Sequence, residues 1–171
     1  GPDGVKYREL FEEYFTKAPT ESGFRWPTWE RGTEQQRREW KRRLDHGLNW
    51  LIERDIEVRG HYLMWAPIEA RNKPVELVGN PEELLAAKWR HAEEMATWAG
   101  TRVQEWDAIN HIVGWGTRFA DVCGGNRVYA DMIKKGRAWA PHAEMWVNEG
   151  QILAGHGQRL DDYRKIISDL I

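Results

Sequence analysis

Strand-like and helix-like segments take turns along this chain, and that alternation constrains the fold more than any other feature. Residues 34–54 place Trp40, Leu44, Leu48, Leu51 and Ile52 at helical spacing, and Thr33 with Gln36 makes a capping box at their start. Glu57-Val58-Arg59-Gly60-His61-Tyr62-Leu63-Met64-Trp65 reads as a strand stopped by Pro67. Asn80-Pro81-Glu82-Glu83 supplies a helix cap, a first-position proline and first-turn acids. That helix runs through Leu84, Leu85, Trp89, Ala92 and Met95 to a Gly100 cap. The order repeats with a strand over 103–110, a helix over 127–139 ending before Pro141, and a strand over 143–149. A last helix starts near Asp161 and carries Tyr163, Ile166, Ile167 and Leu170. With an N-terminal strand near Tyr14–Thr20 this makes four strands, each followed by a helix or a helix-bearing loop. Such an order predicts a parallel sheet with helical crossovers.

Composition narrows the class. At 171 residues, 41% hydrophobic and 30% charged, the chain has the material for one domain with a core of its own. Gly1-Pro2 has the look of residues left by protease cleavage, so a single domain over 3–171 is expected. The formal charge of −2 gives no reason to expect a nucleic acid. Arg37, Arg38, Lys41, Arg42 and Arg43 on the first long helix then read as a solvated face. No apolar run reaches the roughly 18 residues of a membrane span, so no membrane partner is expected. No signal segment is expected among these residues, and the compartment stays open. Cys123 is the single cysteine, and with no base assigned beside it, it is not read as a nucleophile. Gly124-Gly125-Asn126 lacks the Lys-Ser/Thr of a phosphate loop and reads as a turn into the next helix.

Ligands of parallel α/β folds bind where strands finish. The four closing sets here are Thr20-Glu21-Ser22, Arg59-Gly60-His61 through Trp65, Trp106-Asp107 through Asn110-His111, and Asn148-Glu149-Gly150. Polar and ionisable side chains recur at every one. His61, His111 and Glu149 close three neighbouring strands, and two histidines with a carboxylate suit zinc or iron. Their spacing is no local metal motif. The alternative is a polar rim in which Glu149 bonds backbone or His111. His46, His91, His142 and His156 fall on helices or loops and read as surface residues.

The same closing sets resemble glycoside hydrolase family 10. Phe15-Thr-Lys-Ala-Pro-Thr-Glu-Ser-Gly-Phe-Arg-Trp-Pro-Thr-Trp-Glu30 is similar to its pattern of Glu-Asn before Lys-Trp after the second barrel strand. Val58-Arg-Gly-His-Tyr-Leu-Met-Trp65 resembles its third-strand Arg-Gly-His followed by Trp. Glu105-Trp-Asp-Ala-Ile-Asn-His111 resembles its fourth-strand Trp-Asp-Val-Val-Asn-Glu, and Met145-Trp-Val-Asn-Glu-Gly150 its fifth-strand Tyr-Ile-Asn-Asp-Tyr. The resemblance covers roughly residues 11–170 and implies about half of a TIM-type (β/α) barrel, its second to fifth units. It further implies a secreted enzyme that cleaves β-1,4-linked xylan with retention, without a cofactor. Glu21, Arg25, His61 and Asn110 would then line sugar subsites, with Trp65 and Glu149 nearby.

Departures from the family pattern bear on activity. The acid/base position is His111 rather than glutamate, and the family nucleophile belongs to a seventh strand that this stretch does not include. Ser22 replaces an asparagine, Arg25 a lysine, and Ala66 stands where a histidine follows the Trp. Retaining hydrolysis needs two carboxyl groups about 5–5.5 Å apart, so hydrolysis by this chain is expected to be weak or absent. A non-catalytic scaffold or sugar-binding half-barrel is the other reading. The sheet's inner face is expected to carry Val58, Leu63, Ile109 and Val147. Each such side chain is worth roughly 1.5–3 kcal/mol when buried, so a homodimer closing 4 + 4 strands is expected. The competing arrangement is a monomer covered by its N-terminal segment and Trp-rich loops.

Overall fold

Local signals set the helices. In the computed structural model, which describes residues 2–30, 32–68, 79–153 and 157–170, the chain forms helix α1 (Pro2–Tyr14), strand β1 (Lys17–Pro19), and helices α2 (Trp26–Glu30) and α3 (Glu34–Ile52). There follow β2 (Glu57–Gly60), β3 (Met64–Trp65), α4 (Pro81–Ala99) and β4 (Glu105–Asn110). Helices α5 (Phe119–Val122) and α6 (Arg127–Trp139), strand β5 (Glu144–Asn148) and helix α7 (Gly157–Ser168) complete the order. The Thr33 hydroxyl accepts from the Gln36 amide at 3.2 Å while the Gln36 side chain accepts from the Thr33 amide at 2.8 Å, closing the expected box. Asn80 Oδ1 accepts from the Glu83 amide at 3.2 Å, and Gly100 ends α4 with φ of 56°. Three helices were not foreseen: α1, α2 and the single turn of α5. The last two are too short to show a helical period.

All strand pairs are parallel and the sheet is open. β1 pairs with β2, and both β2 and β3 pair with β4, whose other edge pairs with β5. The strand expected over 57–65 is thus one line broken at 61–63. Gly60 stands opposite Trp106 and Met64 opposite Ile109, four residues against three, so this line holds one extra residue. A second bulge sits on β4: Asp107 pairs with Trp146 and Ile109 with Val147, leaving Ala108 over.

Helices cover one surface of this sheet, and the core lies there. Val58, Leu63 and Ile109 are fully buried in that core, and Val147 packs against it. The expectation that these residues line the open inner face is therefore corrected. Alternation tells which residues share a side, not which side the helices take. The opposite surface is an ion-pair lining. Lys17 bridges Glu57 and Glu105, Arg59 pairs with Asp107 and stands 3.6 Å from Glu105, and the Trp146 ring lies 5.3 Å from the Arg59 guanidinium. Among the described residues, ion pairs and the exposed Trp146 ring stand where a wet apolar layer was expected.

The His91 reading is corrected too. On α4, residues 84, 88, 91, 92, 95, 96 and 99 form one buried stripe, and it includes both Lys88 and His91. His91 stacks on Trp26 at 5.3 Å and its Nδ1 lies 3.1 Å from a Glu30 carboxylate oxygen. His46 and His142 are exposed as expected, and His156 lies outside the described residues. Four of the five cations on the basic face of α3 are paired: Arg38 with Glu34, Arg42 and Arg43 with Glu39, and Lys41 with Glu94.

Candidate functional site

The bulge at Ala108 builds the first half of the site. Asp107 and Asn110 are three residues apart, so strict alternation would send them to opposite surfaces. With one residue over between them, both reach His61. Asp107 Oδ2 lies 2.6 Å from His61 Nδ1, and Asn110 Nδ2 lies 3.3 Å from His61 Nε2. Arg59 Nε donates to Asp107 Oδ1 at 3.0 Å, and the His61 amide donates to the Thr20 hydroxyl at 3.0 Å, tying in the end of β1. Burial alone would raise the Asp107 carboxyl, but hydrogen bonds from His61, Arg59 and Asn148 outweigh it and hold the group below its usual range. The carboxylate accepts from Nδ1–H, and Nε2 accepts from the Asn110 amide. Both ring nitrogens of His61 are engaged.

The second half forms where β4 and β5 end. His111 adopts φ of 58°, and its amide donates to the Asn148 carbonyl at 3.0 Å. That turn puts His111 Nδ1 3.1 Å from Glu149 Oε1. The Glu149 side chain is fully buried and also accepts from the amides of Val113 (2.7 Å), Gly114 (3.1 Å) and Gly150 (2.8 Å) and from Arg159 (2.7 Å). Gly114 holds φ of 57° with His111 and Pro67 atoms 2.9 Å from any added Cβ, so only glycine brings its amide this close. Desolvation would raise the Glu149 carboxyl, yet these donors win and pull it down to about 2. The rings of Tyr62, Trp65, His111 and Trp115 join the two halves: Tyr62 lies 5.1 Å from His61 and 5.5 Å from Trp65, and Trp65 lies 5.9 Å from His111. Trp115 tilts over His111 at 4.9 Å and is 50% exposed, whereas Trp65 is 4% exposed.

The structure therefore brings together His61, Trp65, Asn110, His111 and Glu149. Glu21 and Arg25 pair with each other at 3.0 Å, and the Glu21 side chain is exposed. The metal arrangement of His61, His111 and Glu149 is corrected. Among the described residues no three histidine, cysteine or acidic side chains gather to hold an ion. Each histidine has turned Nδ1 onto its own carboxylate, and both oxygens of Glu149 are filled further by amides and Arg159. Five members of the group were not singled out from sequence: Arg59, Tyr62, Asp107, Trp115 and Arg159. Arg59 and Asp107 sit inside the quoted strand-end sets, so only their pairing was hidden. Nothing local marks Trp115 or Arg159.

Comparison with known proteins gives a consistent result. The chain has no match among curated proteins by sequence. Among solved structures, it is similar to a thermostable mutant of xylanase Xyn10A from Cellvibrio japonicus, with TM-score 0.75 and 16% identity over 98% of this chain and 51% of that one. It is similar to native xylanase 10B from Thermotoga maritima, with TM-score 0.74 and 22% identity over 98% and 52%. A third likeness is to a family 10 endoxylanase from a sugarcane soil metagenome, with TM-score 0.75 and 14% identity over 98% and 49%. The chain thus spans about half the length of these structures, and its open sheet is part of a TIM-type barrel. The family model for glycosyl hydrolase family 10 matches residues 2–171, and the chain belongs to that family.

Proposed function

We propose that the strand-end face recognises β-1,4-linked xylan-type sugars, with hydrolysis by this chain alone weak or absent. The observation that carries the reading is the pairing of a half-exposed aromatic plane, Trp115 over His111, with the polar group of His61, Asp107 and Asn110. An indole face suits the apolar face of a pyranose, and the Asn110 amide and the exposed edge of His111 suit its hydroxyls. The weak hydrolysis follows from His111. An imidazole stands where the family motif has its acid/base carboxyl, and the nearest carboxylate, Glu149, is held ionised and enclosed. It has no proton to give and no open oxygen for attack.

The test is titration of the purified chain with xylo-oligosaccharides, followed by tryptophan fluorescence, alongside turnover on xylan and aryl β-xylosides. Saturable quenching that disappears in Trp115→Ala, with trace turnover at most, is the expected result. Robust turnover refutes the catalytic part. No spectral change at millimolar sugar with folded protein refutes recognition and favours a scaffold. A homodimer joined through the open edges of β1 and β5 is kept as a proposal for the partner, and light scattering on the same samples decides it.

A further inference from the structure

Two histidines of this face share one architecture and differ at a single atom. Each places Nδ1 on a carboxylate that is itself held by an arginine: His61 on Asp107 and Arg59, His111 on Glu149 and Arg159. Nε2 of His61 is capped by the Asn110 amide. Nε2 of His111 has no hydrogen-bond partner among the described residues and is not one of the enclosed polar atoms. The ring is about a quarter exposed, while Glu149 on its Nδ1 side is enclosed, so the edge that water reaches is the one bearing Nε2.

We infer that Glu149 and Arg159 are positioning residues that fix His111 in the Nδ1–H tautomer, leaving Nε2 as the atom that exchanges a proton with an oxygen of a sugar lying on Trp115. The first half of this inference concerns the chain alone, and the sugar rests on the recognition reading above. Among the described residues the ring meets Glu149 from the end of β5, which Arg159 of α7 holds in turn, and the rings of Trp65 and Trp115. The Glu149 carboxylate cannot donate and has every donor around it pointed inward, so it accepts from Nδ1–H and leaves the lone pair of Nε2 open. Neutral Nε2 accepts from a sugar hydroxyl, and protonated Nε2 donates to a glycosidic oxygen. No covalent step is needed for either.

Long-range nitrogen–proton NMR of the histidine rings tests this in the wild-type chain without any ligand. The neutral ring of His111 is expected to show a pyrrole-type Nδ1 and a pyridine-type Nε2. The Nε2–H tautomer as the main neutral form overturns the inference. Glu149→Gln is expected to mix the tautomers, and Glu149→Asp to restore the single one; equal spectra for all three chains overturn the role of Glu149. Arg159→Met offers the same readout if Glu149→Gln does not fold. Xylohexaose is then expected to shift the His111 Nε2 signal, and His111→Phe to bind it about fivefold more weakly, the worth of one average hydrogen bond. Sugar that moves the Trp115 indole signal but not Nε2 overturns the sugar half of the inference alone. Sugar that moves neither refutes recognition, and the tautomer result still decides the positioning half.

Discussion

Replacing Lys88 by methionine is expected to make the protein more stable, by an amount that depends on pH in a defined way. Lys88 is fully buried in the stripe of α4, its Nζ has no hydrogen-bond partner, and its nearest aromatic contact is the Trp26 ring at 4.9 Å. Burial pushes the ammonium down from 10.5 to about 7, with the Glu30 charge offsetting part of the effect. At about 1.4 kcal/mol per factor of ten in proton affinity, the charged form is worse off in the fold than in the unfolded chain by about 5 kcal/mol. Above pH 10.5 the amine is neutral in both states and this cost vanishes. As pH falls from 10.5 to 7 the unfolded chain takes up a proton that the fold refuses, and stability falls with it. Below 7 both states are charged and the loss is complete. Methionine fills a similar volume but forgoes the cation–π contact with Trp26, worth about 1–2 kcal/mol in a dry setting. Lys88→Met should therefore gain about 3 kcal/mol near pH 7, and the gain should shrink toward nothing near pH 10.5. Urea unfolding of both chains across that range measures the difference directly. A variant that is less stable at neutral pH, or a difference that stays constant with pH, refutes the argument.

Two further outcomes follow from the packing and the site. Gly60→Ala places a Cβ 2.4 Å from the indole of Trp106, which is itself fully buried, so thermal unfolding should show a loss of about 1–3 kcal/mol from overpacking. Glu149, pulled down to about 2 from 4.5, contributes about 3 kcal/mol that is present above pH 4.5 and lost as pH falls through 2. Glu149→Gln should remove that amount at neutral pH and flatten the acid limb of the unfolding curve; an unchanged acid limb would count against the enclosed carboxylate.

Helices with local punctuation were legible in the sequence because the signal and the structure involve the same few residues. Thr33 with Gln36 and Asn80 with Pro81 mark their own helices, and the structure closes both caps. Strand positions were legible for the same reason. What alternation could not supply was the side of the sheet that the helices cover. Val58 and Ile109 were placed on the wrong surface because the charged residues opposite them, Arg59 and Asp107, satisfy one another across 48 positions. His91 and Lys88 were hidden by their chemistry rather than their spacing, which matches the apolar stripe of α4. His61, Asn110, His111, Trp65 and Glu149 were legible through the strand-end sets. Arg159 and Trp115 were not, since one arrives from a later helix and the other from a loop.

The extra residue at Ala108 makes this face depend on counting more than on composition. If β4 closed into a regular ladder at its present length, Asn110 and all that follows would turn to the other surface, whereas deleting Ala108 would leave Asp107 and Asn110 two apart and on one surface. Conservative exchanges at these positions disturb one contact each, whereas loss of the bulge at unchanged length separates both histidine clusters from their partners together. For a library built on this chain, position 108 is the place in β4 where a strand one residue shorter still presents Asp107 and Asn110 to the same surface.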